Sequence, residues 1–329
     1  MNLYDQQAAN RRRTWLVMAV FVVFLLLLGV GFDFFFVSAS GAFAPIGSVT
    51  ALGLGSISSM VSYFAGDRAV LASTQAASLD TLVQQASGDD LLELRQLQNV
   101  VSEMAIASGL PRPPVYVVPD EDPNAFATGR GPGHSSIAVT RGLLRVLNRE
   151  ELQGVIAHEM SHIRNYDVRL MTIVAALVGT IALLADWTSR VMWYGGGSGR
   201  GGRSDKDDKG RGVLVALLFA FWVVAIVLAP LLSRLLAMMV SRQREYLADA
   251  SGAELTRNPL GLASALAKIE NAVAPTRAIK QGSAHLCIAD PLGRRVNLQE
   301  GFLSNLFASH PPMAARIEAL RAMALGGAR

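Results

Sequence analysis

Residues 151–162 read Glu-Leu-Gln-Gly-Val-Ile-Ala-His-Glu-Met-Ser-His, and their pattern determines the fold expected of this chain. On a helix, His158 and His162 lie four residues apart and therefore share one face. Two imidazoles placed in this way can bind one tetrahedral metal ion. Glu159 lies about 100° further round the helix, near the open coordination position, where it can take a proton from water.

The pattern around these residues favours a buried helix over 149–163. The chain has five histidines. Chance placement of two of them around a glutamate at this spacing is on the order of one in a hundred or less. The residues before them supply an apolar back face: Leu152, Val155 and Ile156. The alternative is an exposed helix whose histidines are incidental.

A metal site of this type needs a third protein ligand, and spacing alone leaves several candidates. They are His134, Asp167, Glu245, Asp249, Glu254, His285 and His310. Glu245 and Asp249 stand out because they also lie four residues apart on a predicted helix. One carboxylate can bind the metal while the other accepts the free ring N–H of a ligand histidine. A solvated acidic face that pairs with neighbouring arginines is the alternative for this pair.

The composition indicates a membrane protein. Hydrophobic residues make up 51% of the 329 residues and charged residues 17%, against about 25% charged in soluble chains. This excludes disorder, collagen and coiled coil. A single cysteine, Cys287, excludes an intrachain disulfide framework and a cysteine-based zinc finger. The net charge of +4 is small for a nucleic-acid-binding chain, so no nucleic-acid partner is expected.

Four apolar runs contain most of the excess hydrophobic residues, and they predict membrane spans. The runs cover about 15–32, 45–65, 170–185 and 213–232. A basic flank before the first run also suits a signal peptide. Small residues recur every fourth position in the second run, at Gly47, Ala51, Gly55 and Ser59. Such a face allows close helix approach in lipid, although a loop-broken segment is the alternative.

The runs divide the chain into four predicted parts. They are an N-terminal membrane hairpin at 1–66, a first catalytic part at 67–169, a second hairpin at 170–232 and a second catalytic part at 233–329. A Gly-rich loop at 195–212 joins the third and fourth runs. The third and fourth runs cross the membrane twice between His162 and Glu245 and return the chain to its starting side. His162 and Glu245 can therefore reach the same metal ion.

Charge near the first run sets the predicted orientation. Arg11–Arg13 precede it and favour a cytoplasmic N-terminus, so the catalytic parts face the cytoplasm. The loop at 195–212 then lies outside, although its five Lys and Arg residues count against that placement.

Local patterns predict the remaining elements. The predicted helices cover 87–108, 149–163, 245–255, 260–272 and 313–323, and the predicted strands cover 113–118, 125–128 and 136–140.

Four passages together resemble a known family. They are Asn124–Gly129, Glu151–Asp167, Ser241–Ala250, and Ser309–Pro312 with Arg316 and Ile317. In combination they resemble the HtpX-type integral-membrane zinc metalloproteases, which are relatives of the CAAX prenyl proteases. The resemblance covers about residues 124–320. The basic, Gly-rich turn at 130–134 departs from the family pattern, which affects the rim of a substrate groove and not the chemistry.

The resemblance implies roles for particular residues. It implies His158, His162 and Glu245 as ligands of one Zn²⁺ per chain, Glu159 as general base and Asp249 as the outer partner of the ligands. It also implies that an edge strand pairs with an extended substrate. This strand comprises Asn124, Ala125, Phe126, Ala127, Thr128 and Gly129, and a packed interior turn is the alternative. His310 either helps to stabilise the oxyanion or caps a helix.

The fold class expected is mainly α with a small β-sheet (α+β): a multi-span α-helical membrane protein with a zincin-like (gluzincin) catalytic domain. The expected function is zinc-dependent cleavage of peptide bonds at the lipid bilayer. The resemblance suggests quality control of misfolded or damaged membrane proteins under stress, in a bacterial inner membrane. The alternatives are a CAAX-type processing protease, an inactive scaffold with a structural metal, and a transporter. The oligomeric state is left open.

Overall fold

The computed structural model describes residues 3–33, 45–195, 242–272, 276–279, 286–289 and 311–326. Several predictions fall outside these residues. They concern His285, His310, the apolar run at 213–232 and the part of the Gly-rich loop beyond residue 195.

The chain divides into two compact units. The first contains residues 1–14, 62–176 and 237–329, and the second contains residues 15–61 and 177–236. The helices are α1 (Leu3–Phe32), α2 (Ile46–Ser73), α3 (Leu79–Gln85), α4 (Gly88–Ser108), α5 (Arg141–Val146), α6 (Arg149–Arg164), α7 (Asp167–Gly195), α8 (Arg242–Thr256), α9 (Pro259–Glu270) and α10 (Met313–Gly326). The strands are β1 (Ala77–Ser78), β2 (Val115–Val118), β3 (Ala125–Gly129) and β4 (Ser135–Thr140).

The sheet of the first unit is small and mixed, with strand order β1-β2-β4-β3. β2 and β4 run parallel, and β3 runs antiparallel to β4 with Ala127 opposite Ile137. The mainly helical fold with a small mixed sheet is thus confirmed. The predicted strands and helices are present to within a few residues, while β1, α3 and α5 had no recognisable pattern.

Each face of the sheet carries its own core. On one face, β4 packs against α4, α6 and α9 through Ile137, Leu97, Ile156 and Leu266, all fully buried. On the other face, the end of α2 and the start of α7 cover Phe126 of β3. Because elements cover both faces of the sheet, every residue of β3 and β4 is buried, and the two strands show no alternation of buried and exposed positions.

In the second unit, α1 and α2 approach closely through small residues. A Cβ on Gly29 would overlap the main chain of Gly47 and lie 2.7 Å from the Cβ of Ala51. A Cβ on Gly55 would lie 3.2 Å from the side chain of Leu25. The predicted small-residue face therefore packs on α1, and α2 is continuous rather than broken by a loop.

Of the described helices, α2 is long and apolar enough to cross a membrane, judged by length and composition. Its side chains include Val49 and Ile57, which are 64% and 62% exposed. On α1, Trp15 and Leu27 are 63% and 64% exposed. Large apolar side chains exposed in such numbers are typical of a surface that contacts lipid or a partner. The remaining spans stay predictions.

Candidate metal centre

Helix α6 carries the two histidines, and polar contacts fix its first turn. The Asn148 side chain accepts from the Glu151 N–H at 3.0 Å, and the Glu151 carboxylate accepts from the Asn148 N–H at 2.8 Å. This reciprocal arrangement satisfies two N–H groups that would otherwise lack partners. Glu151 is 3% exposed and also accepts from Ser264 and Lys268 of α9. The start of α6 is thereby tied to α9.

Helix α8 brings the acidic residues to α6. Gly252 makes this approach possible, because a Cβ there would lie 3.0 Å from the main-chain nitrogen of His158. Asp249 lies one turn and Glu245 two turns before Gly252 on α8, and both project toward the histidines. Predicted helical spacing on both helices thus produces one cluster.

Three side chains converge at the centre of this cluster. The Nε2 atoms of His158 and His162 lie 3.1 Å apart. The Glu245 carboxylate oxygens lie 3.5 Å from His162 Nε2 and 3.8 Å from His158 Nε2. All three residues are buried. Tetrahedral zinc bonds of about 2.0–2.2 Å set ligand atoms roughly 3.3–3.5 Å apart. The separations between the donor atoms of these three side chains therefore fit a zinc ion.

The outer ring nitrogens have acidic neighbours. His158 Nδ1 lies 2.9 Å from Asp249 Oδ1, and His162 Nδ1 lies 3.2 Å from Asp167 Oδ2. A carboxylate at Nδ1 fixes the tautomer whose Nε2 lone pair is free for a metal. Both rings are therefore oriented with Nε2 toward Glu245. Asp249 was expected in this role, whereas Asp167 was expected only as one of several candidate ligands.

Arg316 of α10 closes the far side of the cluster and is fully buried. It donates to both Asp249 oxygens at 2.7 and 2.8 Å and to the Ile288 carbonyl at 2.8 Å. A further contact of 3.3 Å links it to Glu245. Burial alone would raise the pKa of Asp249, but the Arg316 ion pair outweighs it and lowers that pKa to about 2. Asp249 therefore remains a carboxylate.

Asp167 is fully buried and joins distant parts of the chain. Asn10 of α1 donates to Asp167 Oδ1 at 2.6 Å and to the Asn165 carbonyl at 3.0 Å. Arg244 of α8 lies 3.6 Å from Asp167 Oδ1. The sequence signal for Asp167 was its place at the exit of α6. No sequence signal pointed to Asn10, because its partner Asp167 lies 157 residues away.

Glu159 occupies the same buried cluster and is 1% exposed. Its Oε1 has no hydrogen-bond partner among the residues that the structure describes. The Ala127 N–H of β3 hydrogen-bonds to its carboxyl group. Burial, reinforced by the Glu245 charge, raises the pKa of Glu159 to about 7 in the metal-free protein. A carboxyl group whose pKa lies near 7 can both take and give a proton at neutral pH.

Some of the main-chain groups of β3 that could pair with another strand already form hydrogen bonds within the protein. The Ala125 carbonyl accepts from the Ile288 N–H at 2.9 Å, and the Gly129 N–H donates to Thr172 Oγ1 at 2.8 Å. The Ala127 amide between them faces Glu159. Residues 124–129 thus form an edge strand and not an interior turn, with its two ends already hydrogen-bonded.

The side chains of this strand fall on different sides. Phe126 belongs to the core opposite α6, and Thr128 contacts Thr172 Oγ1 at 3.1 Å on that same face. The Asn124 amide donates to the Ala289 carbonyl at 2.9 Å. Ala125 and Ala127 face α6. Any pairing with a substrate would therefore use main-chain groups near Ala127.

Two other candidate ligands, His134 and Glu254, lie outside the cluster. His134 lies exposed in the turn between β3 and β4, and Glu254 is exposed on α8. Cys287 is buried, as expected of a small core residue. His285 and His310 fall outside the described residues, so the expected role of His310 stays a prediction.

Comparison with known proteins adds independent findings. The profile of Peptidase family M48 matches residues 92–324. The protein named "Protease HtpX homolog" in Streptococcus gordonii is 42% identical over 322 residues, which cover 98% of this chain and 100% of that relative. The protein of the same name in Thermoanaerobacter pseudethanolicus is 41% identical over 323 residues, which cover 98% of each chain. The crystal structure of S. mikatae Ste24p aligns with 96% of this chain and 67% of that one, at 16% identity and a TM-score of 0.47.

The cluster and the relatives together define a membrane-bound metalloprotease. The chain belongs to Peptidase family M48. Membership implies a metal ion, usually zinc, and protein or peptide substrates. The expected family and enzyme class are confirmed.

Proposed function

We propose that this chain cleaves peptide bonds with one zinc ion held by His158, His162 and Glu245, and with Glu159 as the general base. The observation that carries the proposal is the convergence of four buried groups. Two Nε2 atoms and one carboxylate meet at zinc-like separations, and the Glu159 carboxyl group lies beside them with one oxygen lacking a partner among the described residues. A scaffold would instead fill the fourth metal position with a protein ligand.

Zinc at this site supplies Lewis acidity, which polarises a peptide carbonyl and lowers the pKa of water. Glu159 removes a proton from the attacking water and then delivers it to the leaving amine. Asp249 and Asp167 hold the histidine rings in the required tautomer. Arg316 keeps Asp249 ionised and offsets the negative charge of the cluster. Burial excludes bulk water, which strengthens each of these interactions.

The substrate, in this proposal, lies extended along β3. An edge strand can bind another strand through main-chain hydrogen bonds. The position of the Ala127 amide beside Glu159 supports placing the scissile bond opposite the middle of β3. The bonds already made by Ala125 and Gly129 would limit pairing to a short segment or be exchanged when a substrate binds. His310 is proposed to stabilise the oxyanion.

The arrangement around the membrane is also proposed. Hairpins at 1–66 and 170–232 would anchor catalytic parts at 67–169 and 233–329, with the active site at the cytoplasmic face of a bacterial inner membrane. The exposed apolar side chains of α1 and α2 support the first hairpin. Misfolded or damaged membrane proteins are the proposed substrates, because a catalytic part held at the bilayer meets such chains first.

Casein degradation by the detergent-purified full-length chain tests the proposed chemistry. We expect Glu159→Gln to abolish cleavage while the zinc content equals that of the wild type. Glu150→Gln is the matched control, since Glu150 lies exposed on the same helix, and it should cleave at the wild-type rate. Cleavage by Glu159→Gln at the wild-type rate would contradict the assignment of the base. Zinc without cleavage in the wild type would favour the scaffold.

A further inference from the structure

A polar cavity lies on the face of the sheet opposite α6. Its volume is about 310 Å³. The end of α2, the turn between β3 and β4 and the first turns of α7 form its walls. Tyr116 and Ser136 line it from the strands, and Tyr116 packs against the core opposite α6. The cavity is therefore separated from the metal cluster by the sheet.

Positive charge predominates in this cavity. Arg68 of α2 and Arg130 of the turn line it, against one carboxylate, Asp67, and His134 of the turn adds an imidazole ring. Neither Arg68 nor Arg130 forms an ion pair within the part of the chain that the structure describes. Two guanidinium groups without a carboxylate partner among the described residues favour an anion at this position.

Aromatic and main-chain contacts hold the arginines in place. The guanidinium carbon of Arg130 lies 5.4 Å from the centre of the Phe64 ring. The Arg130 carbonyl accepts from Arg169 Nε at 2.7 Å, which ties the turn to α7. The guanidinium group of Arg169 in turn lies 5.9 Å from the Tyr63 ring. These contacts orient Arg130 before any ligand binds.

Hydroxyl groups complete the lining. Those of Tyr116 and Ser136 can donate to a ligand, and Ser135 already donates to the Gly131 carbonyl at 2.7 Å. Charged and neutral donors around one small cavity suit the oxygens of a phosphate group.

The position along α2 indicates where that phosphate comes from. Met60 and Phe64 are each 58% exposed, and the next turn carries Asp67 and Arg68. α2 is the described helix that is apolar enough to cross a membrane. The cavity therefore lies where its exposed apolar surface gives way to charge, at the depth where a span meets lipid headgroups.

We propose that Arg68 and Arg130 bind the phosphate of an anionic phospholipid headgroup in this cavity. The lipid's acyl chains would lie along the exposed apolar surface near Phe64. The bound lipid would connect α2 to the turn that follows the edge strand β3 and to the start of α7. This role is separate from the peptidase chemistry and does not depend on the identity of the metal ligands.

Thermal melting of the full-length protein in neutral detergent tests this proposal. The probes are phosphatidylglycerol, phosphatidylcholine and inorganic phosphate, each titrated separately. The test variant is R68Q/R130Q, with the single variants R68Q and R130Q as safeguards if the double variant is unstable. The matched control is R95Q/R321Q, which removes the same charge from exposed positions on α4 and α10.

Phosphatidylglycerol should raise the melting temperature of the wild type and of R95Q/R321Q. In R68Q/R130Q the lipid concentration for half the effect should rise about 10-fold or more, since each arginine contributes separately. Phosphatidylcholine and inorganic phosphate should have little effect. An equal response of R68Q/R130Q and R95Q/R321Q would overturn the proposal. So would an equal response of the wild type to phosphatidylcholine, and an equal response to inorganic phosphate would exclude the lipid as the source.

Discussion

Each of the two histidines has an acidic neighbour, and a local sequence pattern reveals only one of the two. Asp249 beside His158 sits four residues after Glu245 and follows from helical spacing. Asp167 beside His162 lies just beyond the end of α6, where its direction depends on the turn between α6 and α7. Tyr166 in that turn has a positive φ of 59°, which few non-glycine residues adopt. This unusual backbone directs Asp167 back toward the ring.

Replacing Asp167 tests whether this contact tunes the metal site. Asp167→Asn keeps the size of the side chain but loses the charge that holds the Nδ1 proton of His162. We expect zinc affinity to fall about 10–100-fold. Competition against a fluorescent chelator measures it, with the exposed Asp89→Asn as control. Zinc affinity equal in the two variants would contradict the role given to Asp167.

Glu159 gives the metal-free protein a characteristic pH dependence. Burial raises its pKa from 4.5 to about 7, so the folded protein holds this proton more tightly than the unfolded chain. Its contribution to stability is full below pH 4.5 and is lost as pH rises through 7. Above pH 7 we therefore expect metal-free Glu159→Gln to be more stable than the metal-free wild type, by at most about 3 kcal/mol.

Urea unfolding of both chelator-treated proteins between pH 4.5 and 8 measures this difference. The gap between the free energies of unfolding should widen with rising pH. A gap that narrows, or one that is flat across this range, would show that Glu159 is not held in a desolvated position.

At the scale of elements, the contact between α6 and α8 assembles the cluster. Gly252 sets the distance between the two helices, since any side chain there meets the main chain of His158. Main-chain atoms in a capped and buried helix cannot move aside easily. The spacing of Glu245 from the histidines is therefore determined by one glycine two turns away.

Gly252→Ala should disturb both packing and metal binding. We expect a loss of about 1–3 kcal/mol in the free energy of unfolding and a lower zinc affinity, because the helices must separate. Gly326→Ala is the control, as a Cβ there meets nothing within 4 Å. Thermal melting with zinc titration measures both effects. A variant that melts and binds zinc like this control would contradict the packing argument.

The elements themselves were largely predictable, and their tertiary partners were not. Apolar periodicity identified α4 and α6, and proline and glycine boundaries identified β2 and β3. The short β1 has two residues and no pattern to read. Arg316 was noticed only within a family passage. Its contact with Asp249 joins residues 67 positions apart, and sequence spacing carries no information about such pairs.

For the whole molecule, span parity supports the proposed placement of the catalytic parts relative to the membrane. An even number of crossings between His162 and Glu245 keeps both on one side. The proposed cytoplasmic orientation rests on Arg11–Arg13, which precede the first apolar run.

Single introduced cysteines test this orientation. Ser87→Cys is exposed at the start of α4, and Ser204→Cys lies in the Gly-rich loop. In intact cells, a membrane-impermeant maleimide should label Ser204→Cys and not Ser87→Cys, and both should react after the membrane is opened. The wild type controls for Cys287, which is buried. Labelling of Ser87→Cys alone in intact cells would reverse the proposed orientation.

Zinc stoichiometry combined with X-ray absorption at the zinc edge tests whether His158, His162 and Glu245 form one metal site. The purified wild type should hold about one zinc ion per chain, with nitrogen and oxygen ligands at about 2.0–2.2 Å and an imidazole signature from two rings. Glu245→Ala should lose the ion during dialysis. Sulfur among the ligands, or full zinc retention by Glu245→Ala with an unchanged spectrum, would contradict this set of ligands.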